Sequence, residues 1–126
     1  MLALLAVIAL APAAPGHYTG HTSEGGHVTL RVRRSGRRLG QMDFGPIKVT
    51  CADPGNPPRT EPSHSVYDHA IHADGRFGGD GFFTSGNAYA IRGHFTSRRR
   101  VVGTVSIPTR DDCFGRVSFV AVRRGP

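Results

Sequence analysis

A chain of 126 residues holds one domain at the usual size of roughly 100 to 200 residues, and has no room for a catalytic domain beside a separate binding domain. Seventeen Gly and nine Pro against 38% hydrophobic residues exclude collagen-like and fully disordered classes and disfavour long helices. Sixteen basic against nine acidic residues give +7, and every basic residue except Lys48 is arginine. That balance points to an anionic partner, although solubility or a GC-rich genome would also produce it.

Leu2 to Ala11 form an unbroken apolar run of ten. It is too short for a membrane span, which needs about 20 residues, and has the length of a signal-peptide h-region. Ala11-Pro12-Ala13 fits an A-x-A cleavage site, so residues 1–13 are predicted to be a signal peptide and 14–126 a single secreted β domain. No Lys or Arg precedes the run, which leaves the start codon open. No other stretch is long and apolar enough to span a bilayer.

From Tyr18 onward, short alternating segments recur between turn residues, and no window keeps a helical period. The predicted strands are Tyr18–Thr22, His27–Arg33, Arg38–Phe44, Ile47–Cys51, Val66–His72, Arg76–Phe83, Ala88–Phe95, Val101–Ile107 and Arg116–Arg123. Short links at Glu24-Gly25-Gly26, Ser35-Gly36, Asp74-Gly75, Ser85-Gly86-Asn87 and Ser97-Arg98-Arg99 make successive strands antiparallel neighbours. The fold class is therefore all-β: a single antiparallel meander of eight or nine short strands that closes as a small β-barrel or β-sandwich, with one disulfide.

Pleat parity assigns the faces. With Glu24-Gly25-Gly26 as a three-residue loop, Thr22 lies opposite Val28, Gly20 opposite Leu30 and Tyr18 opposite Val32, all on the apolar side. His17, His21, His27, Arg31 and Arg33 then share the outer face. Across Asp74-Gly75, Ile71 faces Phe77 inside, and this register sets Asp68 opposite Asp80. Tyr89, Ile91, Gly93 and Phe95 point in, while Arg92 and His94 point out. Residues Ala52 to Ser65, with Pro54, Pro57, Pro58 and Pro62, read as an irregular Pro-stiffened excursion tethered by Cys51.

Cys51 and Cys113 are predicted to pair, since a small exported domain gains about 4 kcal/mol from closing such a loop. Pairing leaves no thiol for catalysis.

Gly16-x-Tyr18-x-Gly20-x-Thr22, Val28-x-Leu30-x-Val32, Cys51, Asp74-Gly75-x-Phe77, Tyr89-x-Ile91-x-Gly93-x-Phe95, Gly103-Thr104-Val105, Cys113 and Ala121-x-Arg123 together resemble a group of small secreted β-rich proteins of high-GC Gram-positive bacteria. The likeness spans nearly the whole mature chain, through turn glycines and core aromatics. It implies export, the disulfide and β architecture, and no ligand, activity or site.

Chemistry-bearing motifs are few. Zinc-protease, calcium-loop and P-loop patterns are absent, and no cofactor is expected. His17, His21 and His27 are weak metal candidates, because Arg31 and Arg33 on their face repel a cation. Ser63-His64-Ser65 with Asp68 and His69 holds triad residue types without a nucleophile elbow. The candidate anion-binding set is Arg31, Arg33, Arg76, Arg92, Arg98, Arg99 and Arg100, joined by the terminal Arg123-Arg124.

The leading reading is a non-enzymatic secreted β-domain, a monomer, meeting an anionic polymer or lipid headgroup outside the cell. No sequence-specific nucleic-acid motif supports a DNA or RNA reader. The second reading is a small secreted hydrolase or metal-dependent enzyme using Asp68, His69 and Asp80. A third is a barrel that holds a small apolar ligand where Tyr67 and His69 face Gly79 and Gly81.

Overall fold

The computed structural model describes residues 12–83, 88–109 and 111–126. The apolar run Leu2 to Ala11 and the turn Ser85-Gly86-Asn87 lie outside the described residues. Ten strands follow one another: β1 (Gly16–Thr22), β2 (His27–Val32), β3 (Arg38–Phe44), β4 (Ile47–Cys51), β5 (Arg59–Glu61), β6 (His64–Ala70), β7 (Arg76–Phe82), β8 (Ala88–Ser97), β9 (Arg100–Pro108) and β10 (Cys113–Gly125). Eight of them form one antiparallel path, β6-β3-β2-β1-β10-β9-β8-β7, which curls into a near-closed barrel with β6 and β7 at its two ends.

Alternation along the strands builds the interior. Tyr18, Val28, Leu30, Val32, Leu39 and Met42 from the first half meet Ile91, Phe95, Val101, Val105, Val117 and Phe119 from the second, all buried in one core. The predicted faces hold in most strands, but Tyr67, expected inside with His69, is exposed and Val66 is buried in its place, because the left-handed Asp68 breaks the alternation of its strand. The outer faces carry His17, Arg31, Arg76, Arg92 and His94, all exposed. This polarity is the reverse of a membrane barrel, whose outward band is apolar. Among the described residues no helix is long and apolar enough to cross a membrane.

Three pairings differ from the sequence expectation. In the first hairpin His21 lies opposite His27 and Tyr18 opposite Leu30. The three-residue loop is therefore Ser23-Glu24-Gly25, one position earlier than expected. Gly25 takes the left-handed position at φ 80°, and the Thr22 hydroxyl accepts the Gly26 N–H at 3.0 Å, closing the turn there. Because the register moved by two residues, every side chain keeps its face.

Second, β4 does not fold back on β3. Pro46 cannot donate a ladder hydrogen bond, and Gly45 donates to His27 O at 2.8 Å as the chain leaves the sheet. β4 crosses instead to the start of β10, pairing Cys51 with Cys113 and Thr50 with Phe114. The predicted disulfide between those cysteines is formed. The Pro-rich excursion is not wholly irregular, because β5 pairs Arg59 with Val49 and Glu61 with Ile47.

Third, β6 pairs with β3 and not with β7. The two are joined by a tight turn in which His72 N donates to Arg76 O at 2.8 Å, then they separate. Asp68, at φ 59°, interrupts the ladder against β3. Side chains bridge the resulting seam. A Cβ on Gly79 would lie 3.0 Å from the His69 ring, and one on Gly81 would lie 2.8 Å from the Tyr89 ring, so the glycines of β7 make room for both.

Candidate functional site: an arginine-bearing end of the barrel

In an antiparallel meander, alternate links fall at the same end. The start of β1, the β2–β3 turn, the β6–β7 turn, the β8–β9 turn and the end of β10 therefore gather together. Backbone hydrogen bonds tie these segments to one another: Ala14 N to Arg98 O at 2.6 Å, Ile71 N to Arg37 O at 2.8 Å, Phe95 N to Gly75 O at 2.9 Å and Arg123 N to Arg99 O at 2.9 Å.

The sequence places its arginines on those links. Arg33, Arg34, Arg37 and Arg38 flank the β2–β3 turn, Arg76 opens β7, Arg98, Arg99 and Arg100 form the β8–β9 turn, and Arg123 and Arg124 close β10. Ten of the fifteen arginines thus share one end, accompanied by only two carboxylates, Asp68 and Asp74. Glu24, Asp53, Asp111 and Asp112 lie on links at the opposite end, and Glu61 closes β5. Arg34, Arg37 and Arg38 were missing from the sequence-derived set, although the signal was present: every second turn is arginine-rich.

Local pairing neutralises little of this charge. Asp68 accepts from Arg33 at 2.6 Å and lies 3.7 Å from Arg38, and Asp74 lies 3.9 Å from Arg76, all at exposed positions. Such surface pairs contribute about 0 to 1 kcal/mol, so the guanidiniums remain open to exchange partners. Arg31, Arg33, Arg34 and Arg123 line a cleft of about 470 Å³ between Pro15, Gly16 and Pro126. Arg123 Nε donates to Pro15 O at 2.7 Å, and Arg31 donates to His17 Nε2 at 2.8 Å. Beneath them the buried Tyr18 hydroxyl lies 2.6 Å from Ala14 O and 2.8 Å from Arg98 O. Burial pushes the Tyr18 phenol above its ordinary value, against the pull of Arg123, Arg98 and Arg99.

The other sequence candidates do not converge. Arg92 stands away from this end, opposite Gly78 and Thr104 on the outer face of β8. His21 and His27 are cross-strand partners, while His17 is engaged by Arg31. Among the described residues no three His, Cys, Asp or Glu side chains come together as metal ligands. Asp68 is not opposite Asp80, because β6 pairs with β3 while Asp80 pairs with Ala90 of β8. Asp68 points to solvent, His69 points inward to hydrogen-bond Tyr89 at 3.0 Å, and Ser65 donates to Asp43. The hydrolase constellation is therefore scattered. The apolar-ligand reading meets a filled interior, since the space before Gly79 and Gly81 holds the His69 and Tyr89 rings and Tyr67 is exposed.

Buried imidazoles line the seam. His64 stacks on Phe83 with ring centroids 4.0 Å apart, Phe83 stacks on Tyr89, and His64 Nε2 has no hydrogen-bond partner among the described residues. Burial pushes both His64 and His69 below the ordinary histidine value, and Arg38 adds to the effect on His69. The unfolded chain takes up these protons near pH 6.5 while the folded one resists them. Stability should therefore be flat above neutrality and fall as pH drops through about 6.5. Urea midpoints between pH 8 and 5.5 test this, and a His64→Phe, His69→Gln variant should show a flatter profile.

Fold and site together define a small near-closed antiparallel barrel, disulfide-tethered, with a cationic end. No protein-family model matches the chain, and no curated protein matches it.

Proposed function

We propose that this chain is an exported, non-enzymatic binding module whose arginine-bearing end engages an anionic polymer or headgroup outside the cell. The observation that carries the reading is the segregation of ten arginines at one end against two carboxylates. A random distribution of solubilising charge has no reason to follow turn parity. Guanidinium forks suit phosphate, sulfate and carboxylate groups, and their number suits a repeating ligand better than a single ion. The disulfide and the apolar run at the start of the chain support export.

Retention on immobilised polyphosphate should fall steeply with salt. Engagement of about six anionic groups implies a log–log slope of about −4 to −5. A chain carrying Arg34→Glu and Arg99→Glu should keep its melting temperature and lose most of that retention. Salt-insensitive binding, or equal retention by the variant, overturns the reading. Protein recovered from culture medium should begin at Ala14.

A further inference from the structure

A second surface differs in chemistry from the arginine end. On the outer face of β7, β8 and β9 the register aligns Arg76 with His94 and Val102, Gly78 with Arg92 and Thr104, Asp80 with Ala90 and Ser106, and Phe82 with Ala88. Gly78, Ala88 and Ala90 keep the floor low while longer side chains rise around it. A groove of about 740 Å³ runs between Arg76, Arg92, His94 and Asp80. An adjoining groove of about 420 Å³ continues past Asp80 to Phe82, Ala88 and Pro108. Asp80 lines both, so the two meet at its side chain as one trough, and the seven residues of strand from Arg76 to Phe82 span about 20 Å.

Its walls are unusual in three respects. Phe82 is 78% exposed, the most exposed large apolar side chain described. Asp80, Arg92 and His94 have no side-chain hydrogen bond or ion pair among the described residues. Finally, donors and acceptor are ordered along the trough, with guanidiniums and imidazole at one end, a carboxylate in the middle and an aromatic face at the other.

We propose that this trough binds a glycan strand bearing carboxylates at intervals, a uronic-acid-type polysaccharide. A sugar ring has apolar C–H faces that lie flat on an aromatic side chain, hydroxyls that donate to a carboxylate such as Asp80, and, when oxidised to a uronic acid, a carboxylate that accepts from the Arg76 and Arg92 forks. Charge pattern selects among polyanions. A nucleic acid or polyphosphate carries a negative group on every unit and would place one against Asp80. A glycan with spaced charge places hydroxyls there. The inference rests on Phe82, Asp80 and Arg92 of the β7–β9 face, and Arg76 is the one residue it shares with the arginine end.

Calorimetric titration of the full chain with a hyaluronan oligosaccharide, which carries a carboxylate on every second sugar, tests it, beside the same oligosaccharide with its carboxyls reduced to alcohols, and a single-stranded oligonucleotide. Binding of the hyaluronan oligosaccharide should weaken at least tenfold in Phe82→Ala and in Arg92→Ala at unchanged melting temperature. It should persist in Phe82→Tyr and in the Arg34→Glu, Arg99→Glu variant. The carboxyl-reduced sugar should bind more weakly than the acid. No hyaluronan-oligosaccharide binding, binding indifferent to Phe82→Ala, or loss only in the arginine-end variant would overturn the proposal. So would tighter, Phe82-dependent binding of the oligonucleotide. Polyphosphate retention that survives any of these outcomes leaves the arginine-end reading standing.

Discussion

A Gly20→Ala chain is expected to lose about 3 kcal/mol of stability, near the upper end for overpacking, although Gly20 is only half-buried. A Cβ at Gly20 would lie 1.7 Å from Val120 O and 2.7 Å from Ala121 Cα, so the obstacle is backbone and no rotamer change relieves it. β1 and β10 would have to part at the junction that joins the two halves of the barrel. Gly25→Ala offers the contrast. It has nothing within 4 Å of an added Cβ but sits at φ 80°, so its cost should be only the left-handed strain of about 1 to 2 kcal/mol. Urea unfolding of the two variants under identical conditions should rank Gly20→Ala as the more damaged.

Reduction of Cys51–Cys113 should cost about 4 kcal/mol on the chain-entropy account of a loop with a sequence separation of 62. The location concentrates that effect. β4 joins β10 through only two residue pairs, one of them the cysteines themselves. Ile47 and Val49, both fully buried, are carried by this strand. Arg59 reinforces the same region, donating to Asp111 through two nitrogens at 2.8 Å each, with Nη1 3.3 Å from Cys113 Sγ. That fork holds the Asp111 carboxyl well below the usual carboxylate range. Denaturation with and without dithiothreitol, and of a Cys51→Ala, Cys113→Ala double variant, should give matching losses.

Most faces and the pairing of most consecutive strands were legible in the sequence, while the partners of β4 and β6 and the outward turn of Tyr67 were not, for a physical reason. Period-two alternation fixes which side of the pleat Tyr18, Val28, Ile91 or Val105 occupies, and an even shift of register leaves that intact. Which strand lies alongside is decided by distant residues. Nothing local in β6 states that it pairs with β3, and the left-handed Asp68 that interrupts their ladder is an aspartate like any other in the sequence. Gly45-Pro46 announces a break but not the destination of β4. The arginine end was readable in principle from turn parity, yet only once the meander order was known. Phe82 stands outward beside the buried Phe83, and its value as an exposed platform depends on the small residues of β8 that register alone brings beside it.

The unpaired seam between β6 and β7 makes the barrel a split ring held by a clasp. Its backbone is sealed all the way round except at one joint, and there the fastening is aromatic and imidazole side chains, chiefly the His69–Tyr89 hydrogen bond and the His64–Phe83–Tyr89 stack. A ring of this kind breathes at its joint before it melts, so amide exchange should start along β6 and β7 while β1, β9 and β10 stay protected. Protonating the clasp loosens the joint without touching the hoop.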